Sequence, residues 1–132
     1  EKVTLDLRHE RPAQVAVRYR DRLTLAVAIR VDPGVRYIRP QFNFLDIEQR
    51  FVAQLTPSRP IQNRPGRLII TATADQISLN QGTYSLGCAF YEASGSSEIV
   101  LVAFRDMVSL KVSCAGYLGA APIQLLGSWR IK

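Results

Sequence analysis

The stretch at residues 77–92, Ile-Ser-Leu-Asn-Gln-Gly-Thr-Tyr-Ser-Leu-Gly-Cys-Ala-Phe-Tyr-Glu, constrains the chain more than any other. Leu79, Gly82 and Tyr84 stand at the spacing L-x-x-G-x-Y of a tyrosine corner, in which the chain turns into a central strand and the tyrosine hydroxyl bonds to backbone a few residues upstream. Beyond the corner, Tyr84, Leu86, Cys88 and Phe90 alternate with Ser85, Gly87, Ala89 and Tyr91. Side chains on a strand alternate between its faces, so one face is bulky and apolar and the other mostly small. A corner followed by such a strand predicts an all-β, immunoglobulin-like antiparallel two-sheet sandwich.

The rest of the chain supplies the strands. Residues 2–8 alternate Val3, Leu5 and Leu7 with polar neighbours and read as an opening strand, broken at His9-Glu10-Arg11-Pro12. A short strand covers residues 14–19. The clearest is 23–31, where Leu23, Leu25, Val27, Ile29 and Val31 face one way and Thr24, Ala26, Ala28 and Arg30 the other. After the Asp32-Pro33-Gly34 turn comes a strand with Ile38, Phe42 and Phe44 on one face and Arg39, Gln41 and Asn43 on the other. Pro40 has no N–H for a ladder, which predicts an edge position or an irregular start there. Residues 49–55 pair with it. Residues 56–65 hold three prolines and two arginines and read as a long exposed loop. Residues 66–75 form a strand with Leu68, Ile70, Ala72 and Ala74 on one face. After the corner strand, Ser94-Gly95-Ser96-Ser97 makes a hairpin to a strand at 98–104, and 106–112 follows as a separate last strand. A misjudged register would turn Val100, Val102 and Phe104 outward. The tail, 113–132, is expected to pack along the sandwich, with a short strand at 123–126 and Trp129, the only tryptophan, as its anchor, the alternative for that ring being to stack on a sugar.

With 132 residues the chain reads as one domain, 1–132, with enough surface to bury to fold without metal or disulfide. It begins at Glu1 with no Met and no apolar leader, which reads as a fragment or processed product. No apolar run reaches the roughly 18 residues of a membrane helix. The net charge of +6 comes mainly from scattered arginines, which makes a solvated basic surface rather than a nucleic-acid face. Two cysteines, Cys88 and Cys114, do not make a disulfide framework and are expected as separate thiols.

Catalytic chemistry finds little to stand on. The one histidine, His9, excludes a His-Cys zinc cluster and leaves no partner for a serine triad. No calcium loop, phosphate-binding glycine loop or dinucleotide fingerprint is present. The expectation is a chain that is not an enzyme and takes neither cofactor nor metal.

The order of the motifs carries further meaning: Tyr19-Arg-Asp-Arg-Leu-Thr-Leu, then Phe42-Asn-Phe-Leu-Asp, Gly66-Arg-Leu, Leu79-Asn-Gln-Gly-Thr-Tyr-Ser-Leu, Val108-Ser-Leu-Lys-Val and Trp129 near the end. Together they resemble the C-terminal domains of the Wzt family, the ATP-hydrolysing subunits of ABC transporters that export O-polysaccharide. The resemblance covers residues 19–112 and the tail tryptophan. It departs at Gln81, where many sandwiches carry proline before the corner glycine, and no ATPase domain is present in this sequence. The resemblance implies non-catalytic binding of a bacterial cell-surface polysaccharide of O-antigen type for recognition by its exporter. As partners it implies an ATPase domain of the same parent chain, the transporter's membrane subunit and a second copy in a homodimer, with no nucleic acid. The place it implies is the cytoplasm, at the inner face of the cytoplasmic membrane.

The site is argued from the strands. If the corner strand lies between 38–46 and 98–104, Gly87 and Ala89 floor a shallow trough on its outer face. Arg39, Gln41 and Asn43 make one wall, Tyr91 an end, and Ser85 lies on the same face. These groups supply amides, a guanidinium and a phenol for sugar hydroxyls and a ring for a sugar face. Gly87 and Ala89 could equally be small because a loop, the tail or another subunit packs there. The Thr24-Ala26-Ala28 face is a rival. The alternative function is an immunoglobulin- or fibronectin-like protein-interaction domain, which a contiguous apolar patch on the corner-strand sheet would favour.

Overall fold

A computed structural model describes residues 3–5, 14–114, 123 and 128–131. The described residues form nine strands and no helix: β1 (Val3–Leu5), β2 (Gln14–Arg18), β3 (Leu23–Val31), β4 (Tyr37–Leu45), β5 (Phe51–Leu55), β6 (Ile61–Gln62), β7 (Arg67–Ala74), β8 (Gly82–Ser94) and β9 (Ser97–Ser113). They make two sheets, ordered β1-β3-β7 and β2-β9-β8-β4-β5, with β6 paired to β4. This is the all-β, immunoglobulin-like open sandwich that the alternating strands dictate. All pairings are antiparallel except β2 with β9, which run parallel from Gln14↔Ser109 to Arg18↔Ser113.

The inward faces are the ones the alternation marks. Val27, Ile29 and Val31 of β3, with Leu68 and Ile70 of β7, pack on Ile38, Phe42, Cys88 and Phe90 across the sandwich. A second cluster gathers Leu23, Phe44, Ile77, Leu79, Tyr84, Leu86, Leu110 and Val112 around the corner. The Tyr84 hydroxyl donates to the Asn80 carbonyl at 2.7 Å, and the Gln81 N–H donates to Asn80 Oδ1 at 2.8 Å. Burial, with a smaller contribution from Asp46, raises the Tyr84 phenol above its usual range. Cys88 is buried, Cys114 is half-buried, and no disulfide joins the two.

Four expectations need correction. Pro40 is neither at a sheet edge nor at an irregular start: β4 lies between β8 on one side and β5 and β6 on the other. β6 pairs only with Tyr37 and Ile38, and β5 only from Phe42 onward, so Pro40 falls in the gap between two short partners. Its carbonyl accepts the Thr56 hydroxyl at 3.3 Å on that side, where no ladder N–H is called for. Residues 56–65 are not loop throughout, since Ile61 and Gln62 form β6. Residues 98–104 and 106–112 are not two strands but parts of one, β9, which stays on β8 throughout. The polar Arg105-Asp106 pair that reads as a break is a bulge, with Asp106 at φ 49°. Finally, Trp129 is no anchor, being 93% exposed.

A second register shift, between Phe90 and Tyr91, separates the inward and outward parts of β9. Val102 and Phe104 pack against the core, with the Phe104 ring edge-on to Phe90, whereas Val100 is exposed. The opening strand beyond Val3–Leu5, the His9 break and most of the tail, including all but Ile123 of the proposed 123–126 strand, lie outside the described residues. Ile123 bridges antiparallel to Leu79.

Candidate functional site

The seven residues singled out in the sequence share one face of adjacent strands. The β4–β8 register sets Arg39 against Tyr91, Gln41 against Ala89 and Asn43 against Gly87, with Ser85 one step further opposite Leu45. Gln54 of β5 flanks Asn43, and Ala103 of β9 flanks Ala89. Even-numbered neighbours on both strands point into the core, so this set faces away from the sandwich.

At one end of the face a polar chain crosses the strands. Arg39 forks onto Glu98, with Nε 2.7 Å from Oε1 and a second, shorter contact from its terminal nitrogen to Oε2. Its other terminal nitrogen donates to Gln41 Oε1 at 3.1 Å and to Thr56 Oγ1 at 3.0 Å, and the guanidinium stands 4.6 Å from the Tyr91 ring centre. Gln41 Nε2 then donates to Asn43 Oδ1 at 2.7 Å. The hydrogen bond to Glu98 holds the Arg39 pKa above its ordinary value, and the same bond holds the Glu98 carboxyl below its own. This chain binds the β8–β9 hairpin, β4 and the start of the 56–65 segment into one rigid unit.

The trough is shallower than its residue types imply. Gln41 is only 7% exposed, Asn43 9% and Ala89 3%. Gly87 is small because main chain lies over it. A Cβ there would come within 2.5 Å of the Phe104 carbonyl oxygen and 3.4 Å of the Arg105 Cα. In this stretch Leu86 pairs with Val108 and Cys88 with Phe104, so Gly87 alone faces the three bulged residues 105–107. The bulge folds β9 across the outer face. The polar groups with room around them are therefore Arg39 and Tyr91 at one end and Ser85 at the other, all half-buried.

Beyond Ser85 the face opens into a recess of about 490 Å³ between the β4–β5 turn and the β9 bulge. Sequence reasoning found Ser85 and missed the rest of its lining. Asp46, Gln49 and Ile47 come from the turn, and Asp106, Met107 and Ser109 from the bulge. The only sequence signal was an acidic residue interrupting a β run at Asp106. The turn is held by Asp46, whose Oδ1 accepts the Glu48 and Arg50 N–H groups at 2.9 and 3.0 Å while Oδ2 meets Arg50 Nε at 2.8 Å. Those bonds, the Arg50 backbone N–H first, hold the Asp46 carboxyl below its usual range. Asp106 Oδ1 accepts the Ser85 hydroxyl at 2.6 Å.

Among the described residues, no group of three or more His, Cys, Asp or Glu could hold a metal ion, and no helix is long and apolar enough to cross a membrane. The rival face on β3 is a Thr-Ala surface with Thr24 Oγ1 3.3 Å from Thr73 Oγ1, opposite an exposed Ile69.

No protein-family model matches the chain, and no curated protein sequence does. Among solved structures the chain is similar to the C-terminal domain of Wzt, with a TM-score of 0.75 over 89% of this chain and 74% of that one. Identity is 13%, so the likeness is one of fold.

Proposed function

We propose that this chain is a non-catalytic binding module for a bacterial cell-surface polysaccharide of O-antigen type, read by the ABC exporter that carries it. The observation that supports this reading most is the similarity to the Wzt C-terminal domain over most of both chains, which agrees with the motif order in the sequence. In this reading the polysaccharide lies along the outer face of the β4–β8–β9 sheet, across Arg39, Gln41, Asn43, Ser85, Gly87, Ala89 and Tyr91. Tyr91, Arg39 and Ser85 make the direct contacts, and the buried Gln41, Asn43, Gly87 and Ala89 shape the surface beneath. The nine residues of β4 extend for about 30 Å at roughly 3.3 Å each, so several sugar units lie in line. A parent-chain ATPase domain, the transporter's membrane subunit and a second copy of the domain complete the proposed setting at the inner face of the cytoplasmic membrane.

Hydroxyl-to-protein bonds at a wet surface net little each, so a single repeat binds weakly and affinity climbs with chain length. Calorimetric titration with the polysaccharide of the producing strain, cut to graded lengths, tests this. Heat of binding that grows with length, with no new reducing ends over time, is the expected result. An absence of binding at every length would remove the reading.

One observation favours a second reading. Ile99 and Val100 at the β8–β9 hairpin, with Trp129 and Ile131, are large apolar side chains left exposed, as a protein-interaction domain would have them. Binding of polysaccharide that survives Ile99→Ser and Val100→Ser separates the two surfaces.

A further inference from the structure

The recess beyond Ser85 has properties that the rest of the outer face lacks. Its volume of about 490 Å³ falls within the range of small-ligand sites. Where the Arg39–Gln41–Asn43 chain spends its hydrogen bonds internally, Asp106 has given one acceptor position to Ser85. An ionised carboxylate has about four lone-pair positions, and a serine oxygen that donates its proton still accepts. Asp46 is different, since the turn and Arg50 occupy it.

The backbone around the recess is unusual as well. Among the described residues, three that are not glycine have positive φ, and two of them, Gln49 (63°) and Asp106 (49°), line this one recess. Such conformations are uncommon outside glycine, though Asp and Asn tolerate them. At Asp106 the conformation belongs to the bulge that brings the carboxylate beside Ser85. The remaining lining is mixed: hydroxyl at Ser109, amide at Gln49, and apolar surface at Ile47 and Met107. Acceptors beside an apolar wall match a pyranose, which offers hydroxyl donors on its rim and C–H groups on its face. A carboxylate with acceptor capacity to spare repels a uronate or phosphate.

We propose that this recess seats one neutral sugar unit of the polysaccharide, with Asp106 and Ser85 receiving adjacent ring hydroxyls and the Ile47–Met107 side lying against the C–H face. The inference rests on the polysaccharide-binding reading and assigns its subsite and charge preference.

Amide chemical shifts of the chain test it. The probes are oligosaccharide fragments of the producing strain's polysaccharide, D-glucose, D-galactose, D-mannose, L-rhamnose and D-glucuronate. The expected result is that the fragments and at least one neutral monosaccharide shift the amides of Gln49, Ser85, Asp106 and Ser109, while D-glucuronate does not. Asp106→Asn keeps a residue suited to the left-handed backbone and is expected to weaken binding about tenfold with the remaining spectrum unchanged. Ser85→Ala gives a second variant that leaves the bulge backbone as it is. Shifts confined to the Arg39–Tyr91 end, uronate binding equal to that of neutral sugars, or full affinity in both variants overturns the recess while leaving polysaccharide binding intact. A spectrum that no fragment or monosaccharide perturbs removes the polysaccharide reading itself, and the recess with it.

Discussion

Gly87→Ala gives the sharpest test of the face as described. Its φ is not left-handed, so no backbone strain opposes alanine, and loss of unfolded-state freedom alone would stabilise the variant by about 0.4–1 kcal/mol. Packing argues the other way. The new methyl would meet the Phe104 carbonyl oxygen at 2.5 Å, a separation Cβ atoms do not tolerate, and the obstacle is strand backbone rather than the end of a flexible side chain. Either β8 or the β9 bulge has to move. Overpacking of this kind costs about 1–3 kcal/mol, so the net expectation is a loss of about 0.5–2 kcal/mol. At roughly 3–6 °C per kcal/mol for a chain of this length, that is a fall in melting temperature of about 2–12 °C by circular dichroism. Gly87→Trp should fail to fold, so it cannot serve as a binding variant. A melting temperature for Gly87→Ala equal to or above that of the parent would mean that β9 does not lie over Gly87, and the account of the bulge would have to be withdrawn.

Tyr84→Phe removes the bond to the Asn80 carbonyl and is expected to cost on the order of 1 kcal/mol in urea unfolding, more if that carbonyl finds no other donor. Because the folded-state pKa of Tyr84 is raised, its contribution is present below the unfolded value of about 10 and is lost as pH rises through the folded one. The gap between parent and Tyr84→Phe should therefore narrow in alkali, and a constant gap would contradict the buried phenol. Glu98 and Asp46 are held below the usual carboxylate range by bonds to Arg39 and Arg50. Their contribution is present above the unfolded pKa values and disappears as pH falls through the folded ones. Carboxyl carbon shifts should show both titrating later than ordinary carboxyls on acidification, and Arg39→Ala should return Glu98, but not Asp46, to the ordinary range.

What the sequence made legible is what alternation and turn chemistry encode locally. β3 could be read residue by residue because its apolar positions repeat every second place over nine residues, and the corner because its spacing serves one bond. Placing Arg39, Gln41, Asn43, Ser85, Gly87, Ala89 and Tyr91 on one face needed only that alternation and the neighbour order β4-β8-β9. Pro40 misled because the rule that proline seeks an edge is a rule about one side of one residue, and two short partners can leave a gap on that side. β9 misled for a related reason: a polar pair inside an apolar run has the same signature whether the chain leaves the sheet or bulges within it. The difference lies in the pairing partner, which local pattern does not contain. Three residues of β9 facing Gly87 alone are one misfit with three consequences. It favours a glycine at residue 87, it covers the trough that the small residues predict, and it brings Asp106 to Ser85 at the mouth of the recess. The small residues on the corner strand are thus signs of a backbone crossing, and the open chemistry lies one step further along, where the crossing ends.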